Sequence, residues 1–467
     1  MDPAQAGPSS PKLQSSSESG ASTLSPPIFA SIGTVLIDAF DSPPRPILDV
    51  EPEPEASSNL TALAKGTTGL PTPPTPNTDT PSSSTSTIPQ PQTKSFFLPI
   101  AVPSLSNLVT PKTSPVPSAG PSTPQLSLDD VPIPNADEVY EMLGGGGLYA
   151  LVGARLWVTP DKLRTLVDRA PEEEESDVPK EAEDKLNALG EDIWVWNRGK
   201  GTKMTRARIR YEGDVRFFQH VVKAPHRTMK QLLASPLCGA QYLHISPPWS
   251  PEDVSGLLDE MKSLKQKRSN GNSEINAIWE PKIVFEPTPP SCHPGQKEWL
   301  EKIVPFIEVL SPNHEEIFSI LGISPMKITD PRLRTTVEEV IKHFIYTVGI
   351  GKNGKGIMIV RCGKLGSCVG TKDKGLKWCP AYFQEGESKS KVKDVTGAGN
   401  SFLGGYCAGL SLTNNDPYEA LLYGTVSASF VIEQFGLPTL TRSDGIEKWN
   451  DDSPQKRLEI LRRRVDF

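Results

Sequence analysis

Residues 28–37 form a run of apolar and small side chains that ends in Asp38, which predicts a first strand delivering a carboxylate at its carboxyl end. Leu143 then leads into four consecutive glycines, Gly144 to Gly147, ahead of a helical run over 151–157. Over 193–222 the period becomes two. Trp194 and Trp196 share one side, and Ala207, Ile209 and Tyr211 alternate with Arg206, Arg208 and Arg210. Such alternation marks half-buried strands, and Glu212-Gly213-Asp214 supplies a hairpin turn between them. The three arginines read chiefly as a solvated strand face.

Strands are predicted next over 242–246 and 283–286, each followed by a proline-rich loop, with a helix over 251–267 between them and another after Pro294. Glu308 to Leu310 closes a further strand, and Ser311 or Asn313 opens a helix with Glu315 and Glu316 in its first turn. Strands and helices in alternation predict parallel pairing with helices on the faces. The carboxyl-terminal third adds a strand over 357–360 and a buried helix carrying Phe402, Leu403, Tyr406, Ala408 and Leu410. A small-residue-rich helix over 417–434 and an amphipathic surface helix over 456–464 follow.

Composition alters this picture in one region. The chain has 467 residues and 47 prolines, more than half of them before Ala136, and the Ser/Thr/Pro-rich stretch that follows the first strand has too few apolar side chains to offset ordering entropy. The expected organisation is a disordered tail over 1–27, a folded domain over 28–48 and 128–450, a disordered insertion over 49–127, and a basic amphipathic helix over 451–467. A net charge of −7 gives no electrostatic footprint for nucleic acid or an anionic membrane. No apolar run is long enough to cross a bilayer. Six cysteines without Cys-x-x-Cys spacing and six scattered histidines argue for a reduced, cytosolic or nuclear setting without structural zinc.

Candidate chemistry concentrates in Lys393-Asp394-Val395-Thr396-Gly397-Ala398-Gly399-Asn400 and the apolar helix behind it. A glycine-rich turn entering a helix aims unpaired N–H groups and the positive helix end at one point, where an anion is stabilised. The stretch Gly349-Ile350-Gly351-Lys352-Asn353-Gly354-Lys355-Gly356 only imitates a phosphate loop. Gly356 stands where a Ser or Thr would bind magnesium, and a strand rather than a helix follows.

The turn resembles the signature of the PfkB (ribokinase-like) carbohydrate kinase family, which reads Asp-Thr-x-Gly-Ala-Gly-Asp before a Phe and a Gly-Gly pair. Asp394, Thr396, Gly397, Ala398, Gly399, Phe402, Gly404 and Gly405 keep that register, but Asn400 stands where the family has its general base. Over about residues 28–445, with the proline-rich insertion left out, the chain resembles most the fungal killer-maintenance (Mak-type) members. The resemblance implies a three-layer α/β/α fold with a mainly parallel sheet and a small β lid. It implies ATP and Mg2+ as cofactors and a sugar or other small alcohol as phosphoryl acceptor. It makes Gly397, Ala398 and Gly399 the anion hole, Asp38, Gly145 and Gly146 substrate contacts, and Asn313 and Glu316 the metal corner, acting through water. Thr396, with Gly363 and Gly366 of the turn after strand 357–360, falls beside the nucleotide.

Two departures limit what is carried over. The amide that follows the glycine pair in the family is missing, so that the expected substrate is either less polar or stacks on Tyr149. Asn400 cannot accept a proton. Three readings remain open: a weak kinase, an inactive nucleotide- or metabolite-binding regulator, and an assembly protein that engages a protein partner through the insertion.

Overall fold

In the computed structural model the described residues are 26–40, 140–212, 215–269 and 279–465. They belong to one unit, which excludes 49–133. The insertion expected over 49–127, most of the amino-terminal tail and the Gly213-Asp214 turn lie outside the described residues.

The strands in chain order are β1 (Phe29–Ser31), β2 (Leu36–Phe40), β3 (Tyr140–Gly144), β4 (Leu163–Asp168), β5 (Trp194–Asn197), β6 (Thr205–Glu212) and β7 (Val215–Val222). They continue with β8 (Tyr242–Ile245), β9 (Lys282–Phe285), β10 (Ile307–Leu310), β11 (Ile357–Arg361), β12 (Ser367–Thr371), β13 (Gly375–Cys379), β14 (Leu440–Ser443) and β15 (Ile446–Trp449). The helices are α1 (Gly146–Arg155), α2 (Lys180–Leu189), α3 (Met229–Leu233), α4 (Pro251–Ser269), α5 (Lys297–Ile303) and α6 (His314–Leu321). After them come α7 (Leu333–Lys342), α8 (Ser388–Lys391), α9 (Ala398–Leu412), α10 (Pro417–Val431) and α11 (Pro454–Arg462).

Nine strands form the central sheet in the order β13-β12-β11-β10-β9-β8-β1-β4-β5. All pairs from β11 to β5 are parallel, and β12 and β13 close one edge antiparallel. Their side chains alternate between two cores, as a period of two requires. Phe29, Tyr242, Val284, Val309 and Ile359 face α1, α2, α9, α10 and α11. Ala30, Leu243, Phe285, Met358 and Val360 face α3 to α7. The expected three-layer α/β/α arrangement with a mainly parallel sheet is thus present.

A second, four-stranded sheet has the order β3-β2-β6-β7, and it corrects the reading of 28–37 as one strand. The run breaks over Ile32 to Val35: β1 enters the central sheet and β2 the second one, so that Asp38 sits in the middle of β2. The break is a tertiary effect. A Cβ on Gly33 would fall 2.1 Å from Ser246 Oγ and 2.8 Å from the Gly147 nitrogen. Only a bare backbone fits between the end of β8 and the start of α1.

The first helix is also longer at its start than its sequence suggests, beginning at Gly146 and ending at Arg155. Close packing explains the glycines inside it and its partner. A Cβ on Gly153 would lie 1.9 Å from the Ser401 carbonyl oxygen, and one on Gly404 1.7 Å from that of Ala150. The backbones of α1 and α9 therefore touch directly. The terminal helix is only partly a surface helix, because Arg457 is buried, paired with Glu433 at 2.7 Å and Asp452 at 2.8 Å, and stacked over Phe430. The imitation phosphate loop is a turn that leads straight into β11.

Candidate active site

Buried polar residues collect where the central parallel strands end, the edge at which open α/β sheets bind ligands. Ser246 follows β8, Glu286 follows β9, Ser311 follows β10, and Arg361 ends β11. Ser246 and Ser311 are fully buried, and neither hydroxyl has a hydrogen-bond partner among the described residues.

The glycine turn approaches this edge from the α9 side. Asp394 Oδ1 accepts from the Thr396 N–H at 2.9 Å, and Gly397 adopts φ +78° as the N-cap. That position requires glycine twice over, since its φ is left-handed and a Cβ would fall 2.2–2.5 Å from ring carbons of Tyr149. Behind it, Gly399 and Asn400 lie in the first turn of α9, whose N–H groups have no acceptor within the helix.

Asn400 is held by a carboxylate. Its Nδ2 donates to Glu286 Oε2, and its Oδ1 is 3.0 Å from where a Gly146 Cβ would stand, beside Ser246 Oγ at 2.9 Å. Gly146, Ser246 and Asn400 therefore meet at one point. The other Glu286 oxygen accepts from Arg361 Nη2 at 2.6 Å, and the same nitrogen donates to the Ser311 carbonyl at 2.9 Å and lies 3.6 Å from Glu316 Oε2. Burial raises the pKa of Glu286 against the opposing pull of Arg361 and of the Asn400 amide. Burial likewise pushes Glu316 up to about 7, with Arg361 opposing and Glu286 adding to the rise.

Asn313 and Glu316 form a reciprocal cap on α6. Asn313 Oδ1 accepts from the Glu316 N–H, and Glu316 Oε2 accepts from the Asn313 N–H, both at 2.8 Å. Magnesium takes six oxygen ligands in a near-ideal octahedron, several of them waters. Here one carboxylate oxygen of Glu316 is engaged by the cap, and a permanent guanidinium already neutralises the corner. Among the described residues no three His, Cys, Asp or Glu side chains gather as a metal site. The corner as built does not fit a divalent ion held directly by several protein ligands; the contact expected of Asn313 and Glu316 is one through water.

On the acceptor side, Asp38 is buried, and its Oδ2 would be 2.2 Å from a Cβ on Gly144, across the β2–β3 ladder. Gly145 takes φ +104° against the Thr34 carbonyl, and the Gly146 N–H donates to Thr34 Oγ1 at 3.2 Å. Tyr149 is 4% exposed with its ring against Gly397. It supports the turn, and this corrects its reading as an open stacking face. In the turn after β11, a Gly366 Cβ would meet the Cys379 carbonyl at 2.0 Å, whereas Gly363 faces open space. Packing and a φ of +90° together account for the glycine at 366.

Glu286, Arg361 and Ser246 escape the sequence reading, though the signal that singles out Asp38 applies to them too. Each is a polar residue at the carboxyl end of an apolar parallel strand.

The profile of the pfkB family carbohydrate kinases matches residues 232–442. An uncharacterized protein of Schizosaccharomyces pombe is 30% identical over 357 residues, covering 72% of this chain and 91% of its own length. Protein MAK32 of Saccharomyces cerevisiae is 29% identical over 336 residues, covering 68% and 84%. Among solved structures, ribokinase from Cryptococcus neoformans in complex with ADP aligns over 94% of this chain and 100% of its own, at 15% identity and a TM-score of 0.49.

Proposed function

The chain belongs to the pfkB family of carbohydrate kinases, and from that premise we propose that it transfers the γ-phosphoryl group of ATP to a hydroxyl of a sugar or other small alcohol, slowly. One observation carries the reading. The first turn of α9, Asn400 and the Arg361 guanidinium meet where β9 to β11 end. Phosphoryl transfer rests largely on positioning and on neutralising charge spread over the phosphoryl oxygens. The N–H groups around Gly397 and Gly399 would supply that, with Arg361 beside them, whereas the Ala398 N–H is already taken by the Val395 carbonyl at 3.1 Å. Asp38 would orient the acceptor by accepting from its hydroxyls, and Mg2+ would arrive on the nucleotide's own phosphates.

Slowness follows from residue 400. A positioned base contributes 10²–10⁴-fold, and the Asn400 amide is not a base: its Nδ2 donates to Glu286, and its Oδ1 can accept a hydrogen bond but not take up the proton. That same hydrogen bond favours a second reading, a catalytically inactive protein that binds nucleotide or metabolite, because it ties the amide into an ion network.

Calorimetry with ATP, and transfer assays on a panel of sugars and nucleosides, test both readings. Binding with slow turnover supports the kinase. Binding without turnover, by the native chain and by the double substitution Asn400→Asp/Glu286→Gln, leaves the second reading. Absence of ATP binding overturns the kinase and the nucleotide-binding form of the second reading.

A further inference from the structure

Arg361 reaches both the carboxylates and the turn. Its Nη2 lies 2.6 Å from Glu286 Oε1 and 3.6 Å from Glu316 Oε2. Its Nη1 extends to the first turn of α9, where a Cβ on Gly399 would be only 1.6 Å away. The side chain is 14% exposed, and its Nε is buried with no hydrogen-bond partner among the described residues. A guanidinium cannot lose its proton in a protein and presents donors in a fixed fork that suits phosphate oxygens.

Facing a cation toward the positive end of a helix is unfavourable on its own. Glu286 offsets part of this conflict, its Oε1 lying 2.6 Å from Arg361 Nη2 and 3.2 Å from where a Gly399 Cβ would stand, and a second anion placed against Nη1 and the turn would offset more of it. The fully buried hydroxyls of Ser246 and Ser311, at the same strand ends, also lack partners. The carboxylates that would otherwise attract a divalent ion are meanwhile occupied, Glu286 by Arg361 and Asn400, and Glu316 by the cap on α6.

We propose that Arg361 takes the place of a protein-held divalent cation, so that the terminal phosphoryl group of a bound nucleoside triphosphate is gripped between its guanidinium and the first-turn N–H groups of α9. The proposal rests on the nucleotide reading given above. It changes one thing about it: affinity for the triphosphate comes from a fixed charge in the chain and survives removal of magnesium.

Calorimetry of the full chain with the imido-bridged ATP analogue, in excess Mg2+ and in EDTA, tests this. The native dissociation constant is expected to change less than threefold on chelation. Arg361→Met should weaken binding in EDTA on the order of 10–100-fold, the range of a charge-assisted hydrogen bond, with Arg361→Lys recovering part of it. Arg361→Met should also gain a Mn2+ site detectable by electron paramagnetic resonance, because Glu286 and Glu316 are left without their cation. A native affinity that drops tenfold or more in EDTA overturns the proposal while leaving the nucleotide reading intact, and needs no variant. Tighter binding by Arg361→Met overturns it as well, by making Arg361 a plug in the site. No binding by the native chain in either condition overturns both the proposal and the reading beneath it.

Discussion

Restoring an aspartate at position 400 is the obvious repair, and the structure says that it fails alone. Asn400 Nδ2 donates to Glu286 Oε2, so Asn400→Asp sets one carboxylate against another in a buried corner. Two charges about 3 Å apart at an effective dielectric near 20 repel by about 5 kcal/mol. The pair escapes more cheaply by taking up a proton. At pH 7 that costs about 3.7 kcal/mol from an ordinary glutamate pKa near 4.3, and less here because burial already raises the pKa of Glu286. The expected loss is therefore below about 3.7 kcal/mol at pH 7 and shrinks by about 1.4 kcal/mol for each pH unit lower, as the proton becomes easier to hold. Glu286→Gln restores a donor facing the new aspartate and leaves an oxygen for Arg361. The double substitution should therefore regain stability, with a coupling energy of that same size in a cycle of urea unfolding curves. On the proposed function, the double variant rather than Asn400→Asp is the one that gains turnover. An Asn400→Asp chain within 0.5 kcal/mol of native, as a rough threshold for ordinary surface substitutions, would refute the pairing, as would failure of Glu286→Gln to rescue it.

Three further outcomes are expected. Gly404→Ala should cost about 3 kcal/mol or more by forcing α1 and α9 apart, since its Cβ would stand 1.7 Å from the Ala150 carbonyl oxygen. Gly256→Ala, mid-helix with open space around it, should gain up to about 1 kcal/mol; urea midpoints compare the two. His244 is fully buried, with its Nδ1 against Ser31 Oγ at 3.0 Å, and burial, then Arg361, pushes its pKa down to about 3. Its contribution is complete above pH 6.5 and falls by about 1.4 kcal/mol per unit below it, because only the unfolded chain takes the proton. About 2 kcal/mol should thus be lost by pH 5, and His244→Gln should flatten that slope; parallel curves for the two proteins would contradict it. Finally, Asp38→Asn should raise the acceptor KM at least tenfold, an order-of-magnitude figure for a buried charged hydrogen bond, while leaving nucleotide affinity from calorimetry unchanged.

The central sheet was readable because strands buried on both faces appear as continuous apolar runs, and β8, β9, β10 and β11 lie within one or two residues of their expected limits. The break between β1 and β2 was not readable. It depends on Gly33 approaching Ser246 and Gly147, residues more than a hundred positions away, and no local pattern carries that. Helix α1 begins inside a glycine run that propensity assigns to a loop, because bare backbone is what lets it lie on α9. The glycine turn and Asp38 stand out in the sequence by composition and position. The Glu286–Arg361–Asn400 network does not, since its members come from three strand or helix ends spread over 286–400 and become one feature only when β9, β11 and α9 converge.

The pairing of β2 with β3 has a topological consequence. Phe40 and Tyr140 are register partners in an antiparallel ladder, so the roughly one hundred intervening residues enter and leave the domain at neighbouring points. Whatever that stretch does, the scaffold meets it as it would meet a hairpin loop. Loop closure costs about 0.6 kcal/mol per doubling of length, so going from a four-residue turn to about a hundred residues adds only about 3 kcal/mol, even for a freely flexible chain. The chain thus carries its insertion at a point where each added residue costs little closure entropy.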